Sequence, residues 1–160
     1  MSLHSGVQIA IALEPIINPH NLQILGWWCN SSKKQGRLVL LTEDVREMMP
    51  NGLAVNGDEA MSSVEDLVRH REILDIKFQL IDKLGKTKRH KLGKVGDYSY
   101  NDGMFVQKIY VSRPMTKIFS SEDTLLVDRT QILEVTDSYI LVKDTEVKDT
   151  AEVARAAVPA

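Results

Sequence analysis

Short apolar runs broken by turn-forming residues dominate the chain, the pattern of β-strands. Residues 7–11 alternate apolar and polar, 22–29 are apolar with two tryptophans, and 37–41, 44–48 and 53–55 are shorter runs. Asn18-Pro19-His20-Asn21 and Pro50-Asn51-Gly52 separate them, with Pro19 fixing φ and Gly52 accepting a positive φ that most residues resist. The middle differs. Ser62-Ser63-Val64-Glu65 has the capping-box order, and Val64, Leu67, Val68, Arg71 and Leu74 follow helical spacing, which predicts a helix over 63–74. Strands are predicted again at 77–81, 83–87, 92–100, 104–113, 124–127, 130–135 and 139–143. Asn101-Asp102-Gly103 and Thr136-Asp137-Ser138 turn between them. Residues 144–160 turn polar and then alanine-rich, the composition of a flexible tail.

The two halves repeat. Shifted by 82 residues, 21–29 falls on 103–111, so that Ile24 meets Val106, Trp28 meets Tyr110 and Cys29 meets Val111. Shifted by 87, Leu38-Val39-Leu40 meets Leu125-Leu126-Val127, Val45 meets Ile132, Glu47 meets Glu134 and Val55 meets Val142. One insertion around 114–119 accounts for the change of offset, since an insertion in a loop leaves both flanking registers intact.

Composition narrows the function classes. Net charge is −2 with 26% charged residues, a balance that does not predict nucleic-acid binding by the chain as a whole. The charge is uneven: residues 1–82 carry 7 basic and 11 acidic side chains, residues 83–160 carry 13 and 11. Cys29 is the only cysteine, which excludes an internal disulfide and fits a cytoplasmic protein. No apolar run is long enough to cross a membrane, and the first residues lack a secretory pattern.

Lys91-Leu92-Gly93-Lys94-Val95-Gly96-Asp97-Tyr98, then Val106-Gln107-Lys108-Ile109-Tyr110-Val111, then Leu126-Val127-Asp128-Arg129-Thr130-Gln131-Ile132 and Ile140-Leu141-Val142 resemble the PRC-barrel family. That family includes the cytoplasmic domain of the photosynthetic reaction-centre H subunit and the C-terminal domain of the ribosome maturation factor RimM. The resemblance implies a mainly β fold of two small PRC-barrel-like antiparallel β-barrels joined by a short helical linker. The expected division is a divergent first barrel at 1–56, a linker at 57–75, a second barrel at 76–143 and a tail at 144–160. The first copy shows Ile11-Ala12-Leu13-Glu14-Pro15 where the second has its Leu-Gly-Lys-Val-Gly motif. The implied function is a non-catalytic docking or adaptor protein for a protein partner, with no cofactor. The second domain is expected to meet the partner and the first to support it or to form a homodimer.

The residues themselves offer few sites. Residues 83–94 hold six basic side chains and no acid, so Lys86, Lys88, Arg89, Lys91 and Lys94 form a candidate surface for phosphate or an acidic partner. RNA or the ribosome is the alternative partner, although no aromatics interleave with these charges; an edge protected by lysines is the plain structural reading. Trp27 and Trp28 must face opposite sides of a strand, which predicts one in the core and one at an interface. Tyr98 and Tyr110 are further candidate interface aromatics, with Tyr98 and Tyr100 on a common face. His4, His20, His70 and His90 have no ligand spacing, Cys29 reads as a buried inert thiol, and the equivalence of Glu47 and Glu134 argues for structure over acid–base chemistry. No nucleotide-binding glycine pattern occurs. An enzyme is not expected.

Overall fold

Leu38, Val39, Leu40 and Leu41 are all buried, which requires apolar cover on both faces of the strand they form. The computed structural model, which describes residues 1–113, 124–144 and 148–149, provides that cover. Its first unit comprises Met1–Asn18 and Gln23–Phe78. The strands are β1 (Ile11–Asn18), β2 (Gln23–Asn30), β3 (Leu38–Leu41), β4 (Val45–Met49), β5 (Gly52–Val55) and β6 (Met61–Ser63), followed by the helix α1 (Arg71–Ile76). They form a four-stranded sheet in the order β1-β2-β3-β6 and a separate β4-β5 hairpin. Leu38 and Leu40 pack with Ile9, Cys29, Val55 and Met61, while Val39 and Leu41 pack with Ile16 and Leu74 of α1.

The second unit comprises Pro19–Leu22 and Gln79–Ala160. Its strands are β7 (Leu84–Lys86), β8 (Lys91–Tyr100), β9 (Val106–Ser112), β10 (Thr124–Asp128), β11 (Ile132–Val135), β12 (Tyr139–Val142) and β13 (Lys148–Asp149). They make one sheet in the order β11-β12-β7-β8-β9-β10-β13. Val95, Val106, Ile109, Val111, Leu125, Val127, Ile140 and Val142 are each at most 1% exposed and form its core. The fold is mainly β, with a sheet curled into a half-barrel. One pairing, β7 with β12, is parallel, where the sequence predicts antiparallel strands alone.

The registers of the two units coincide. Gly26, Trp27, Trp28 and Cys29 face Leu41, Leu40, Val39 and Leu38; 82 and 87 residues on, Lys108, Ile109, Tyr110 and Val111 face Asp128, Val127, Leu126 and Leu125. A 3₁₀ turn follows at Thr42–Asp44 and again at Arg129–Gln131. The next hairpin bulges after Val45 in one unit and after Ile132 in the other, and Glu47 opposite Ala54 corresponds to Glu134 opposite Leu141. The first hairpins end alike, with a left-handed residue at Leu22 (φ 56°) and at Met104 (φ 63°). In the second turn Met104 N–H donates to Asn101 O (2.9 Å) and Asn101 N–H to Phe105 O (3.0 Å). The residue that turns left-handed is therefore the one after Gly103, as in a type I turn closed by a bulge.

Several expected elements differ. The predicted helix at 63–74 is a 3₁₀ turn at Val68–His70 running into α1. The capping serines are consumed elsewhere: Ser62 and Ser63 pair with Val39 and Leu38 in β6, and Ser63 Oγ donates to Asp66 Oδ2 at 2.7 Å. Residues 77–81 do not form a strand, because Lys77 (φ 53°) and Asp82 (φ 67°) turn the chain through left-handed conformations. The first strand begins at Ile11 and runs through Pro15, which sits at a register shift on the sheet edge, where proline is tolerated. The insertion expected around 114–119 lies outside the described residues, as do 145–147 and 150–160 of the expected tail.

Close approach of β3 to β2 requires Gly26, whose Cβ would collide with the Leu40 carbonyl oxygen. Gly26→Ala is expected to lower stability by more than about 2 kcal/mol in urea unfolding. Asp128 caps the second 3₁₀ turn by accepting from Thr130 N–H (3.0 Å) and Thr130 Oγ1 (2.8 Å), bonds that hold its carboxyl below the usual carboxylate range. Loss of the cap in Asp128→Ala is expected to cost about 1 kcal/mol at neutral pH. A carboxyl with a lowered native pKa stabilises fully above its unfolded value of about 4 and loses that contribution as pH falls through the native value. The gap between wild type and Asp128→Ala, measured by thermal melts, should therefore close on acidification below about pH 4.

Candidate functional site

In the second unit, β7 bonds to two strands at once. Its parallel register with β12 places Gly85 opposite Ile140, and its antiparallel register with β8 places Gly85 opposite Gly93 and Leu84 opposite Lys94. The pairing continues beyond the strand: Val95 N–H donates to Lys83 O (2.9 Å) and Asp82 N–H to Val95 O (2.8 Å). Packing forces glycine at 93 and leaves little room at 85. A Cβ on Gly93 would collide with the Ser112 carbonyl oxygen, and one on Gly85 would lie 3.3 Å from the Val111 methyls.

The first unit repeats half of this arrangement. Residues 1–3 lie parallel beside β5, with Val55 N–H donating to Met1 O (2.9 Å) and Leu3 N–H to Val55 O (2.8 Å). No link runs on to β1, whose one strand neighbour among the described residues is β2. The interval is a cleft of 630 Å³ between residues 8–12 and 49–55, floored by Cys29, Leu40 and Met61, and no charged side chain lines it. Its surroundings are apolar and exposed: Leu3 is 51%, Val7 53%, Ile11 57% and Leu13 47% exposed. Ala12 stands opposite Cys29 as Val95 stands opposite Val111. Ala12 therefore holds the position from which Val95 bonds its outer neighbour.

The basic segment of the second unit forms the β7–β8 turn. Thr87, buried at 5% exposure, fixes it: its Oγ1 accepts from Arg89 N–H (3.2 Å) and His90 N–H (3.0 Å). Lys88, Arg89, His90, Lys91 and Lys94 are exposed. Lys86 is half-buried, with Nζ 3.6 Å from the centre of the Tyr139 ring, and so stands apart from the solvent-facing cations. A smaller polar cleft in this unit, between Pro19–Leu22 and residues 129–135, contains Arg129. That guanidinium is engaged by Asn21 O (2.7 Å) and Val106 O (3.4 Å) and lies 5.1 Å from the Phe105 ring.

Both tryptophans are half-buried, where the sequence predicts one core and one interface residue. Trp27 packs on the cluster around Cys29 and Leu40, while Trp28 packs on that around Val39 and Leu41 with the Arg37 guanidinium 4.4 Å from its ring. The sheet has an apolar layer on each side, so each indole finds cover. Tyr98 and Tyr100 lie with ring centres 6.4 Å apart, and burial, then Tyr100 and Asp97, raise the Tyr98 pKa. Tyr110 is half-buried on β9. Glu47 and Glu134 are both exposed, and Glu134 accepts from Tyr139 OH at 3.3 Å. Among the described residues no three His, Cys, Asp or Glu side chains gather as metal ligands.

The apolar edge of β1 is the feature that strand periodicity missed. Its signal was present in the alternation of Val7, Ile9 and Ile11, of which Ile9 alone is buried. Cys29 floors the cleft at 2% exposure, its Sγ 3.6 Å from Trp27 O, and burial pushes its pKa up. Its thiol is expected to resist iodoacetamide in the native protein at neutral pH and to react on unfolding in urea, as read by mass spectrometry. No protein-family model matches the chain, and no curated protein matches it.

Proposed function

We propose that the protein is a non-catalytic docking protein built from two tandem PRC-barrel-like units, and that it holds a protein partner through the open apolar edge of the first. The observation that carries this reading is the concentration of exposed apolar side chains at residues 3–13 beside a cleft lined by no charged side chain. Contiguous exposed apolar surface with an unpaired strand edge is costly to leave bare and is characteristic of binding surfaces. The tandem arrangement is supported by strand registers that agree pair by pair at fixed offsets. The PRC-barrel reading rests on the second-unit motif, whose Gly93 stands where β7 and β8 meet. A lone buried cysteine fits the cytoplasm as the compartment. Among the described residues no helix is long and apolar enough to cross a membrane.

A photoreactive amino acid at Leu13 tests the docking reading in the native cell. A discrete protein adduct is expected from that position and not from the exposed Glu65. Equal labelling from both positions, or none from Leu13, would overturn it.

The β7–β8 turn supports a second reading, an RNA- or ribosome-associated factor. Lys88, Arg89, Lys91 and Lys94 point to solvent, and among the described residues no carboxylate pairs with them. On this reading, RNA retention falls steeply with salt and is lost when these four become Glu. Retention unaffected by the four changes rules it out.

A further inference from the structure

The two units differ in one structural respect that matters for binding, and that difference specifies what the cleft receives. The second unit has the unbroken order β11-β12-β7-β8-β9-β10-β13. The first has β4-β5, then the short bridge at Ser2, then β1-β2-β3-β6. Matching the units by register puts the break between β5 and β1, at the position β7 fills in the second unit.

We infer that the cleft of the first unit accepts an extended strand from a partner protein, running antiparallel to β1 and parallel to β5. The inference rests on the docking reading above and gives its occupant a form. Backbone pairing supplies the affinity: the Ala12 N–H and C=O take the bonds that Val95 makes with Lys83 and Asp82 in the second unit. Side chains facing inward supply the selectivity, and the lining sets their chemistry. The walls carry no charged side chain, and the one charge there, the Met1 ammonium, is engaged by the Leu53 carbonyl (2.7 Å), so the inward residues of the strand are uncharged. They are also larger than those of β7. Gly85 is held small by Val111 methyls 3.3 Å from where its Cβ would be, whereas the residue matching Val111 is Cys29, beneath 630 Å³ of open volume. The occupant thus places a branched or long apolar side chain where β7 has glycine.

The outer rim agrees with this assignment. Ile11 at the cleft wall and Leu13 just beyond it on the same strand are 57% and 47% exposed. A paired neighbour would cover them as cross-strand partners. Pro15 and the register shift beside it interrupt the ladder on that side, which confines pairing to the segment before it.

The probes are synthetic peptides of the β7 segment, residues 81–88 (Ile-Asp-Lys-Leu-Gly-Lys-Thr-Lys), as such and with Gly85→Leu. A third carries Gly85→Leu and N-methyl groups on alternate amides from Asp82, which removes its ability to pair. Hydrogen exchange of the full chain reads the outcome. The Gly85→Leu peptide is expected to slow exchange at residues 8–12 by about tenfold or more and to outperform the glycine peptide. The N-methylated peptide should give no protection, and amides of β8 should not respond. Ala12→Pro, with its fold checked by near-ultraviolet circular dichroism, should abolish the effect.

No protection by any peptide, or equal protection by the N-methylated one, would overturn the inference. Protection at residues 8–12 that rises with protein concentration alone would also overturn it, since a second copy would then cover the edge. The Leu13 adduct separates the two proposals. A partner adduct without peptide protection defeats strand pairing and leaves docking standing, whereas an adduct competed away by the Gly85→Leu peptide supports both.

Discussion

In the second unit, three residues of β7 bond the hairpin β11–β12 to the meander β8–β10, and the curl of the sheet depends on that double attachment. A strand in that position must satisfy donors and acceptors on both of its edges within a curled sheet, so its neighbours approach closely. Close approach explains the glycines. Gly85 and Gly93 face one another across the β7–β8 ladder, and neither has room for a Cβ without moving Val111 or the Ser112 carbonyl. Small residues at these two positions thus follow from the packing of one strand junction.

The first unit shows what happens to the same architecture when that junction is half made. Residues 1–3 keep the bond to β5 and Ser2 is buried there, but among the described residues β1 pairs with β2 alone. Burial elsewhere compensates. Both faces of β3 are covered, one by residues of β5 and β6 and the other by α1 and its approach. The stability of this unit therefore comes from layers above and below its sheet, and its edge is left available.

Sequence periodicity located the strands whose apolar residues point one way or are wholly buried, such as β3 and β12, and the matching registers were readable as offsets of 82 and 87 residues. It failed where a local signal had two uses. Ser62 and Ser63 have the chemistry of a helix cap, yet their backbone completes the edge of the sheet beside β3, and tertiary pairing outweighs a cap. Alternation places the first strand at 7–11, whereas β1 runs from Ile11 through Pro15, whose lack of an N–H costs little at a register shift on the sheet edge. The basic turn was legible as a charge run, but Lys86 lies on the Tyr139 ring, a contact between residues far apart in sequence. The cleft was not legible at all, since it is made by a pairing that does not form.

Leu22 and Met104 hold left-handed conformations at matching turn positions of the two units. A branched or long side chain at φ near 60° carries a backbone penalty of about 1–2 kcal/mol that glycine would avoid. Leu22 is nevertheless buried and Met104 half-buried, so each hairpin tip trades backbone ease for a side chain drawn into the fold.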